Sequence, residues 1–343
     1  MKNNFLKNKS ILITGGTGSI GSALAKYLIK TKCKVIRVMS NDENGLYELS
    51  RDLNLSSFAF DNFSKEMKLN KIRFFLGDVR DFNRCREVTK NVDIVIHAAA
   101  LKHVSIVEYN PKEAYQTNVI GTKNMIKASI ENKVSKFLLI STDKVVAPTN
   151  KMGKTKLEAE KVASKLKKKS NIKISIIRFG NVLASRGSVI PNFMNLLENK
   201  KDITVTDKKM VRFVMSLQDA VGSIIKSLYL MRGQEIFILK SMKCFKIYDL
   251  AQALIGYYKK INKKTNKILI SKMYVGEKYE EELYTEKEIP YIKIKSDLFV
   301  INTNKSRQKL STLKLLKKYR VSNFNYLNKD QILRLLLKTN ILN

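Results

Sequence analysis

The chain contains 343 residues, of which 44% are hydrophobic and 28% are charged. This length can bury one large hydrophobic core or two smaller ones, so the composition excludes a disordered or fibrous chain and predicts an ordinary globular protein. Lysine and arginine number 65 against 30 aspartates and glutamates, which gives a net charge of +35, and only 13 of the cations are arginine. An excess of this size raises the question of an anionic partner.

The positive charge is spread along the whole chain. Residues 1–150 carry a net +10, residues 151–256 carry +13 and residues 257–343 carry +12. A nucleic-acid-binding protein more often concentrates its charge in a stripe or arm, preferably with arginine for bidentate phosphate contacts. We therefore predict a solvated basic surface and no nucleic-acid partner. A non-catalytic module that binds nucleotides or nucleic acids is the alternative from another functional class.

The cysteines and histidines show no pattern of a disulfide framework or a metal site. Cys33, Cys85 and Cys244 lack CxxC spacing, and His97 and His103 lack a carboxylate at ligand spacing. The N-terminus has no signal-peptide core, and no stretch approaches the roughly 20 apolar residues of a membrane span. We expect a cytoplasmic protein without a metal and without membrane insertion.

The first 180 residues alternate between short apolar runs and helical patterns. The predicted strands lie at Ile11–Ile13, Lys34–Met39, Ile72–Leu76, Val92–His97, Phe137–Ser141 and Ile172–Phe179. The predicted helices lie at Ser22–Lys30, through Leu46 and Leu53, around Ala114–Asn132, and at Lys154–Lys169. Such alternation indicates βαβ units, so we predict an α/β fold with a Rossmann-type doubly wound parallel sheet, whose ligands bind at the carboxyl ends of the strands.

Beyond Gly180 the pattern breaks into shorter pieces, which predicts a smaller C-terminal substrate-binding lobe. We assign residues 1–180 to the dinucleotide-binding domain, with a return segment at about 205–235. Residues 181–204 and 236–300 are assigned to the lobe, and residues 301–343 to C-terminal helices. Two amphipathic helices are predicted there, at Ser306–Tyr319 and Lys329–Lys338.

A glycine-rich segment follows the first predicted strand and opens the first helix. We call residues 14–21, TGGTGSIG, the glycine loop. Gly15 permits a tight turn, Gly18 lets the backbone approach a pyrophosphate at the helix N-terminus, and Gly21 allows close packing of helix on sheet. The residues predicted to contact a dinucleotide from this loop and from the ends of the next strands are Thr14, Gly15, Thr17, Gly18, Ser19, Ile20, Gly21, Ser40, Asn41, Asp78, Val79, Ala98, Ala99 and Ala100.

The end of the second strand bears on the choice between NAD and NADP. An acidic residue there binds the ribose hydroxyls of NAD. Here the strand ends in Ser40 and Asn41, which can donate hydrogen bonds to a phosphate, and Asp42 follows too late. We predict tightly bound, recycled NADP, with NAD as the alternative because no arginine is present in this stretch.

Eight motifs carry a family resemblance between about residue 10 and residue 300. They are GDVRD (77–81), HAAALKHV (97–104), EYNPKEAYQTNVIGT (108–122), STDKVVAP (141–148), GKTK (153–156), RFGNVLASRGSVIP (178–191), TVTDKKMVRF (204–213) and GEKYEEEL (276–283). In order and spacing the chain resembles the UDP-N-acetylglucosamine 4,6-dehydratases, lyases of the extended short-chain dehydrogenase/reductase family in polysaccharide biosynthesis. The GxxGxxG spacing of the glycine loop is also the form found in extended short-chain dehydrogenases.

The resemblance implies a reaction without net oxidation. The hexose is oxidised at C4, loses a proton at C5 and water at C6, and receives the hydride back at C6. By resemblance Thr142, Asp143 and Lys144 lie against the substrate, with Asp143 as the acid for the C6 hydroxyl and Lys144 as the base at C5. Both roles favour shifted pKa values, raised for the carboxyl and lowered for the amine.

Met152 departs from the Tyr-x-x-x-Lys pattern of short-chain dehydrogenases. A thioether cannot accept the proton of the C4 hydroxyl, although Lys156 is present to anchor the nicotinamide ribose. Either catalysis is lost, or the chain belongs to the branch that carries Met at this position and inverts C5. The intact motifs favour the second hypothesis, in which the C4 proton leaves through Lys144, Thr142 or water. A C5-retaining dehydratase and a UDP-sugar 4-epimerase are the alternatives within enzymes.

The resemblance also implies contacts with a UDP-sugar substrate and self-assembly. The substrate-binding residues it implies are Lys102, His103, Thr142, Asn181, Arg186, Pro191, Thr206, Met210, Arg212 and Glu277. Lys102 and Asn118 join Lys156 as implied cofactor residues. The family implies a homo-oligomer, with a hexamer as one form.

Overall fold

The computed structural model describes residues 3–53, 71–168, 170–262, 266–302 and 325–342. Its strands are β1 (Ser10–Thr14), β2 (Val35–Ser40), β3 (Ile72–Leu76), β4 (Ile94–His97), β5 (Lys136–Thr142), β6 (Lys173–Phe179), β7 (Asn181–Val182), β8 (Ile203–Val205), β9 (Val211–Met215), β10 (Ile236–Leu239), β11 (Lys243–Lys246), β12 (Ile268–Ile270), β13 (Ile292–Lys295) and β14 (Leu298–Ile301). Its α-helices are α1 (Ser19–Leu28), α2 (Glu43–Asp52), α3 (Phe82–Val88), α4 (Val104–Tyr109), α5 (Pro111–Tyr115), α6 (Gly121–Glu131), α7 (Lys151–Lys167), α8 (Val189–Glu198), α9 (Leu217–Leu230), α10 (Ile247–Asn262) and α11 (Lys329–Lys338).

The large sheet has nine strands in the order β13-β14-β10-β6-β5-β4-β1-β2-β3. The seven strands from β10 to β3 run parallel, and β14 and β13 complete the sheet in antiparallel pairings. The strand order turns back on itself at β1 and β4, which is the point where ligands bind in open α/β sheets. The prediction of a doubly wound Rossmann-type sheet is confirmed.

The large sheet is covered by helices on both faces because the side chains on both faces of its central strands are apolar. In β1, Ile11 and Ile13 belong to one buried cluster with residues of α1 and α9. Leu12, between them, belongs to a second cluster with residues of α6 and α7. Burial of successive residues on opposite faces is the signature of a parallel sheet with helices on both sides.

The third buried cluster forms the smaller lobe, where α8, α10 and α11 pack around β8 and its parallel partner β12. The predicted helix Lys329–Lys338 is confirmed as α11. The other predicted helix, Ser306–Tyr319, lies outside the described residues. No helix within the described residues has the length and apolar character needed to cross a bilayer.

The predicted boundaries of the lobe differ from the structure in two places. Strands β10, β13 and β14 fall within the predicted lobe segment 236–300, yet they extend the large sheet. In the predicted return segment, α9 packs on α1, but β9 pairs with β7 and β11 in a separate three-stranded sheet. Short strands that pair with distant partners leave little local signal, so the periodicity did not reveal these pairings.

Candidate active site

A cleft of about 860 Å³ runs along the carboxyl ends of β1, β2, β4, β5 and β6. Most of the predicted cofactor residues lie on its wall. They are Gly15, Thr17, Gly18, Ser19, Ile20, Gly21, Ser40, Asn41, Asp78, Val79, Ala98, Ala99, Ala100, Lys102 and Lys156. Thr14 and Asn118 are buried and do not belong to this wall.

The glycine loop leaves the backbone open at the N-terminus of α1. Gly15 has φ +64°, and a Cβ atom there would lie only 2.7 Å from the Cα of Ala99. The residue before the helix is Gly18, which has no side chain to cap the free N–H groups of the first turn. These features fit a pyrophosphate, whose oxygens accept from such N–H groups, and thus a bound dinucleotide.

Thr14 and Asn118 support the cleft from behind. Thr122 Oγ1 donates to the carbonyl of Asn118 at 2.6 Å, so its contact with His97 Nε2 at 3.1 Å requires the imidazole to donate. His97 Nδ1 then accepts from the Thr14 hydroxyl at 2.7 Å. Burial, together with the charge of Lys156, lowers the pKa of His97 to about 3, so this histidine is a neutral structural link.

Asn118 has a similar supporting function for the backbone after β4. Its side chain accepts from the backbone N–H of Leu101 at 2.8 Å and donates to the Leu101 carbonyl at 3.1 Å. It also donates to Thr155 Oγ1 at 3.0 Å, which ties this backbone to α7. Asn118 therefore fixes the position of the small residues that line the cleft.

The loop 185–188 crosses from the end of β7 to the glycine loop. The backbone N–H of Arg186 donates to Ser19 Oγ at 2.9 Å, and Arg186 Nη2 donates to the Thr17 carbonyl at 2.8 Å. Lys102 Nζ holds the loop from the other side by donating to the Arg186 carbonyl at 2.6 Å. Arg186 Nη1 also lies 3.7 Å from Asp42 Oδ2. Arg186 of this loop and Lys102, which binds the loop, are therefore two cations beside the cleft.

A network of hydrogen bonds and ion pairs lies at the end of β5. Thr142 Oγ1 donates to Asp143 Oδ1 at 2.8 Å. Lys144 Nζ donates to Asp143 Oδ1 at 3.0 Å and to Asn181 Oδ1 at 3.3 Å, and it lies 3.4 Å from Glu281 Oε1. Thr142, Lys144 and Asn181 line the cleft, whereas Asp143 and Glu281 are 1% and 3% exposed and lie behind them.

The pKa of Lys144 differs from the sequence-based expectation. Burial alone would lower the pKa of this amine, but the charges of Asp143 and Glu281 outweigh both burial and the nearby Arg212. The pKa of Lys144 is therefore raised, and the expected lowered pKa is wrong for this residue.

Two other lysines of the cleft have lowered pKa values. Burial lowers the pKa of Lys156 to about 8, and Glu160 offsets only part of that effect. Burial and the charge of Arg186 lower the pKa of Lys102.

Met152 and Lys156 lie one turn apart on the first turns of α7, and both line the cleft. The helix begins at Lys151 because Asn150 Oδ1 accepts from the backbone N–H of Gly153 at 2.8 Å. Met152 packs in an apolar cluster with Val107 and Ala114, which gives the thioether a packing function.

The predicted substrate residues divide into two groups. The members on the cleft wall are Lys102, His103, Thr142, Asn181 and Arg186. The other members, Pro191, Thr206, Met210, Arg212 and Glu277, do not line it.

Two residues of the second group have hydrogen-bond partners within the protein. Arg212 donates to the carbonyls of Lys278 and Tyr279 at 3.0 and 3.3 Å. Glu277 accepts from the backbone N–H of Tyr274 at 3.0 Å, within its own turn. Their contacts with a substrate stay predictions.

Sequence reasoning missed two buried polar groups at the site, Glu281 and Ser141. Both lie in motifs that carry the family resemblance, GEKYEEEL and STDKVVAP. Among the described residues, Glu281 Oε2 and Ser141 Oγ have no hydrogen-bond partner although they are buried. In the run of three glutamates at 280–282 only the middle one is buried, and this difference comes from tertiary contacts.

Comparison with known proteins extends these observations. The polysaccharide biosynthesis protein family matches residues 11–303. The UDP-N-acetylglucosamine 4,6-dehydratase (inverting) of Campylobacter jejuni is 41% identical over 251 residues, covering 72% of this chain and 71% of the relative. The UDP-glucose 4-epimerase of Rickettsia bellii is 36% identical over 348 residues, covering 96% of this chain and 96% of the relative. The X-ray structure of Pen from Bacillus thuringiensis has a TM-score of 0.88 at 37% identity, covering 99% of this chain and 100% of that one.

Proposed function

This chain belongs to the polysaccharide biosynthesis protein family, and from that premise we propose that it is a UDP-N-acetylglucosamine 4,6-dehydratase of the C5-inverting type. The observation that carries the proposal is the Thr142–Asp143–Lys144 network at the carboxyl end of β5, beside a cleft that fits a dinucleotide. The inverting dehydratase of Campylobacter jejuni supports the same assignment. A cytoplasmic location and a homo-oligomeric state stay predictions.

The proposed reaction needs groups that move protons at C4, C5 and C6 of the hexose. When bound, the nicotinamide dinucleotide accepts the hydride from C4 and returns it to C6. Thr142 replaces the missing tyrosine at C4, because its hydroxyl lines the cleft and already donates to Asp143 at 2.8 Å. The C4 proton thus passes through Thr142 to Asp143. This route replaces the tyrosine that accepts the proton in short-chain dehydrogenases, where this chain has Met152.

The same pair then serves the leaving group. Once protonated, Asp143 donates to Thr142, and Thr142 donates to the C6 hydroxyl, which leaves as water. Lys144 lines the cleft beside Thr142 and takes the proton from C5. Each proton therefore has a carrier among residues that touch one another.

The cofactor of this proposal is NADP. The end of β2 presents Ser40, whose hydroxyl lies 2.9 Å from Thr17 Oγ1 at the edge of the cleft. Tertiary structure adds the guanidinium of Arg186, which lies between the Thr17 carbonyl and Asp42. Arginine and hydroxyl groups suit a ribose 2′-phosphate, whereas Asp42 would suit NAD if Arg186 did not offset its charge.

The second candidate function is a UDP-sugar 4-epimerase. The relative from Rickettsia bellii carries that name and matches nearly the whole chain. An epimerase changes only C4, so it needs no base for C5 and no acid for C6. Lys144, which Asp143 and Glu281 hold beside the cleft, has no task as a C5 base in that reaction, which is why we favour the dehydratase.

The test is incubation of the protein with UDP-N-acetylglucosamine in deuterated water, followed by NMR of C4, C5 and C6. The dehydratase is expected to give a 6-deoxy-4-keto sugar with inverted C5 that carries solvent deuterium. Retained C5 would contradict the inverting assignment, and a change confined to C4 would establish the epimerase. Absence of any reaction with bound cofactor would favour the non-catalytic binding module.

A further inference from the structure

Glu281 is a buried carboxylate directly behind Lys144. Its side chain is 4% exposed, and its Oε1 lies 3.4 Å from Lys144 Nζ. The second oxygen, Oε2, has no hydrogen-bond partner among the described residues. Burial of a carboxylate oxygen without a hydrogen-bond partner lowers the stability of the fold. Such an oxygen beside Lys144 therefore indicates a chemical function.

The segment that carries Glu281 is held against the site at several points. Lys278 Nζ donates to the Val146 carbonyl at 2.8 Å, just beyond Lys144 in the chain. Thr149 and Asn150 donate to the Gly276 carbonyl at 2.7 and 3.1 Å. Together with the Arg212 contacts to residues 278 and 279, these bonds fix the backbone that positions Glu281.

Lys144 in its ammonium form cannot remove a proton from C5. The charged groups that face it are Asp143 from its own segment, Glu281 from the C-terminal segment and Arg212 from β9. Asp143 is engaged by Thr142 and serves the C4 and C6 oxygens in the proposed reaction. Glu281 is the remaining carboxylate in contact with Lys144, and its Oε2, like Oδ2 of Asp143, has no hydrogen-bond partner in the part of the chain that the structure describes.

We propose that Glu281 is the proton partner of Lys144: it takes one ammonium proton so that the amine can act as base at C5, and it returns that proton at the end of the cycle. This inference rests on the proposed function. Glu281 does not line the cleft and acts through Lys144, so it is a positioning residue and not a catalytic one.

The proton balance closes over one cycle. The charge of Glu281 favours the ammonium form of Lys144 at rest, but transfer of one proton from Lys144 Nζ to Glu281 neutralises both partners and leaves an amine and a carboxylic acid. The C5–H bond then breaks, and its proton goes to Lys144. Its electron pair forms the C5–C6 double bond and expels the C6 hydroxyl, which takes the proton of Asp143 through Thr142 and leaves as water. After the hydride has returned to C6, a solvent proton adds to the opposite face of C5, which inverts that centre. Lys144 releases the proton taken from C5 to solvent and recovers its own proton from Glu281.

The experiment compares Glu281→Gln, Glu281→Asp and Glu282→Gln, the last being a matched control at an exposed neighbouring position. Deuterium uptake at C5 from deuterated water is measured from low to high pH, and oxidation at C4 is followed separately by nicotinamide absorbance. For Glu281→Gln we expect C5 exchange at neutral pH to fall by about 10² or more, with C4 oxidation retained. The loss should shrink as pH rises, because the solvent then removes the proton from Lys144.

Glu281→Asp should keep partial exchange, and Glu282→Gln should match the unmodified protein. An equal loss at all pH values would mean a structural role and would overturn the proposal. Unchanged or faster exchange in Glu281→Gln would also overturn it, because it would mean that Glu281 only holds Lys144 in the ammonium form. If the unmodified protein forms no 6-deoxy product, the proposed function itself has failed, whatever Glu281 does.

Discussion

Arg186 and Thr17 are 169 residues apart in the chain, yet the guanidinium of Arg186 donates a 2.8 Å hydrogen bond to the carbonyl of Thr17. This contact brings an arginine to the part of the cleft where the end of β2 itself has none. The loop that carries Arg186 also receives a hydrogen bond from Lys102. The basic character that matters for cofactor binding is therefore assembled from separate segments.

The first prediction concerns cofactor preference. Arg186→Gln should weaken the binding of NADP by about tenfold or more, because a hydrogen bond to a charged group contributes about 1.5–3 kcal/mol. The binding of NAD should weaken much less. Titration of both dinucleotides measures the two Kd values. Lys7→Gln, which removes an exposed charge before β1 begins, serves as control. Equal losses for NADP and NAD would show that Arg186 does not contact the 2′-phosphate.

The second prediction concerns Lys144 as the base at C5. Lys144→Ala should lower the rate of 6-deoxy product formation by about 10²–10⁴, the usual contribution of a general base, while the protein still binds its cofactor. Product is measured by NMR and cofactor retention by absorbance of the purified protein. Lys161→Ala, on the exposed side of α7, should leave both unchanged. Product formation at the normal rate in Lys144→Ala would exclude this lysine as the base.

The third prediction separates packing from chemistry at Met152. Met152 is 4% exposed and belongs to the cluster with Val107 and Ala114. Met152→Leu preserves volume and apolarity, so its cost in unfolding free energy should stay below about 1.5 kcal/mol and turnover should persist. Denaturation curves and rates of product formation check this. A large loss of turnover in a stable variant would indicate a chemical role for the thioether.

The fourth prediction uses the pKa of Lys156, which burial lowers to about 8. In the unfolded chain this pKa is about 10.4, so between these values the unfolded state binds more protons and the free energy of unfolding rises with pH. Relative to Lys156→Met, the unmodified protein should gain up to about 3 kcal/mol between pH 8 and the unfolded value. Chemical denaturation of both proteins at several pH values measures the difference. A difference that does not change with pH would contradict a lowered pKa.

The fifth prediction concerns the ion pairs that join β6 to α7. Arg178 Nε and Nη2 donate to the two oxygens of Glu160 at 3.0 and 2.8 Å, and Arg178 Nη2 lies 2.9 Å from Glu288. Arg178→Met leaves a buried carboxylate unpaired and should lower the free energy of unfolding by about 3–5 kcal/mol.

Two further variants check the origin of that loss. Adding Glu160→Met to Arg178→Met should recover part of it, because the unpaired buried charge is then gone. Lys161→Met, which breaks an exposed pair, should cost about 1 kcal/mol or less. If Arg178→Met costs no more than Lys161→Met, the buried network does not stabilise the fold.

Local sequence patterns predicted the strands and most helices in the first half of the fold, but not the short helices α3 and α4. Short apolar runs separated by helical segments predicted the parallel strands from β1 to β6, because most of these strands are buried on both faces; the edge strand β3 is partly exposed. The glycine loop was recognisable because its spacing and its position between strand and helix are both local. The family resemblance of the STDKVVAP motif implied that Thr142 and Lys144 lie against the substrate, and both line the cleft.

Tertiary structure alone decided which distant residues complete the site. The approach of Arg186 to the glycine loop and of Glu281 to Lys144 depends on how separate segments pack, and hydrophobic periodicity does not encode such pairings. The pKa of Lys144 had the opposite direction to the expected one for the same reason: it is set by distances to Asp143 and Glu281, and Coulomb energies depend on distance and burial. The sequence by itself thus determined the scaffold, the cofactor loop and the residue types for the chemistry, and the folded chain decided their charge partners.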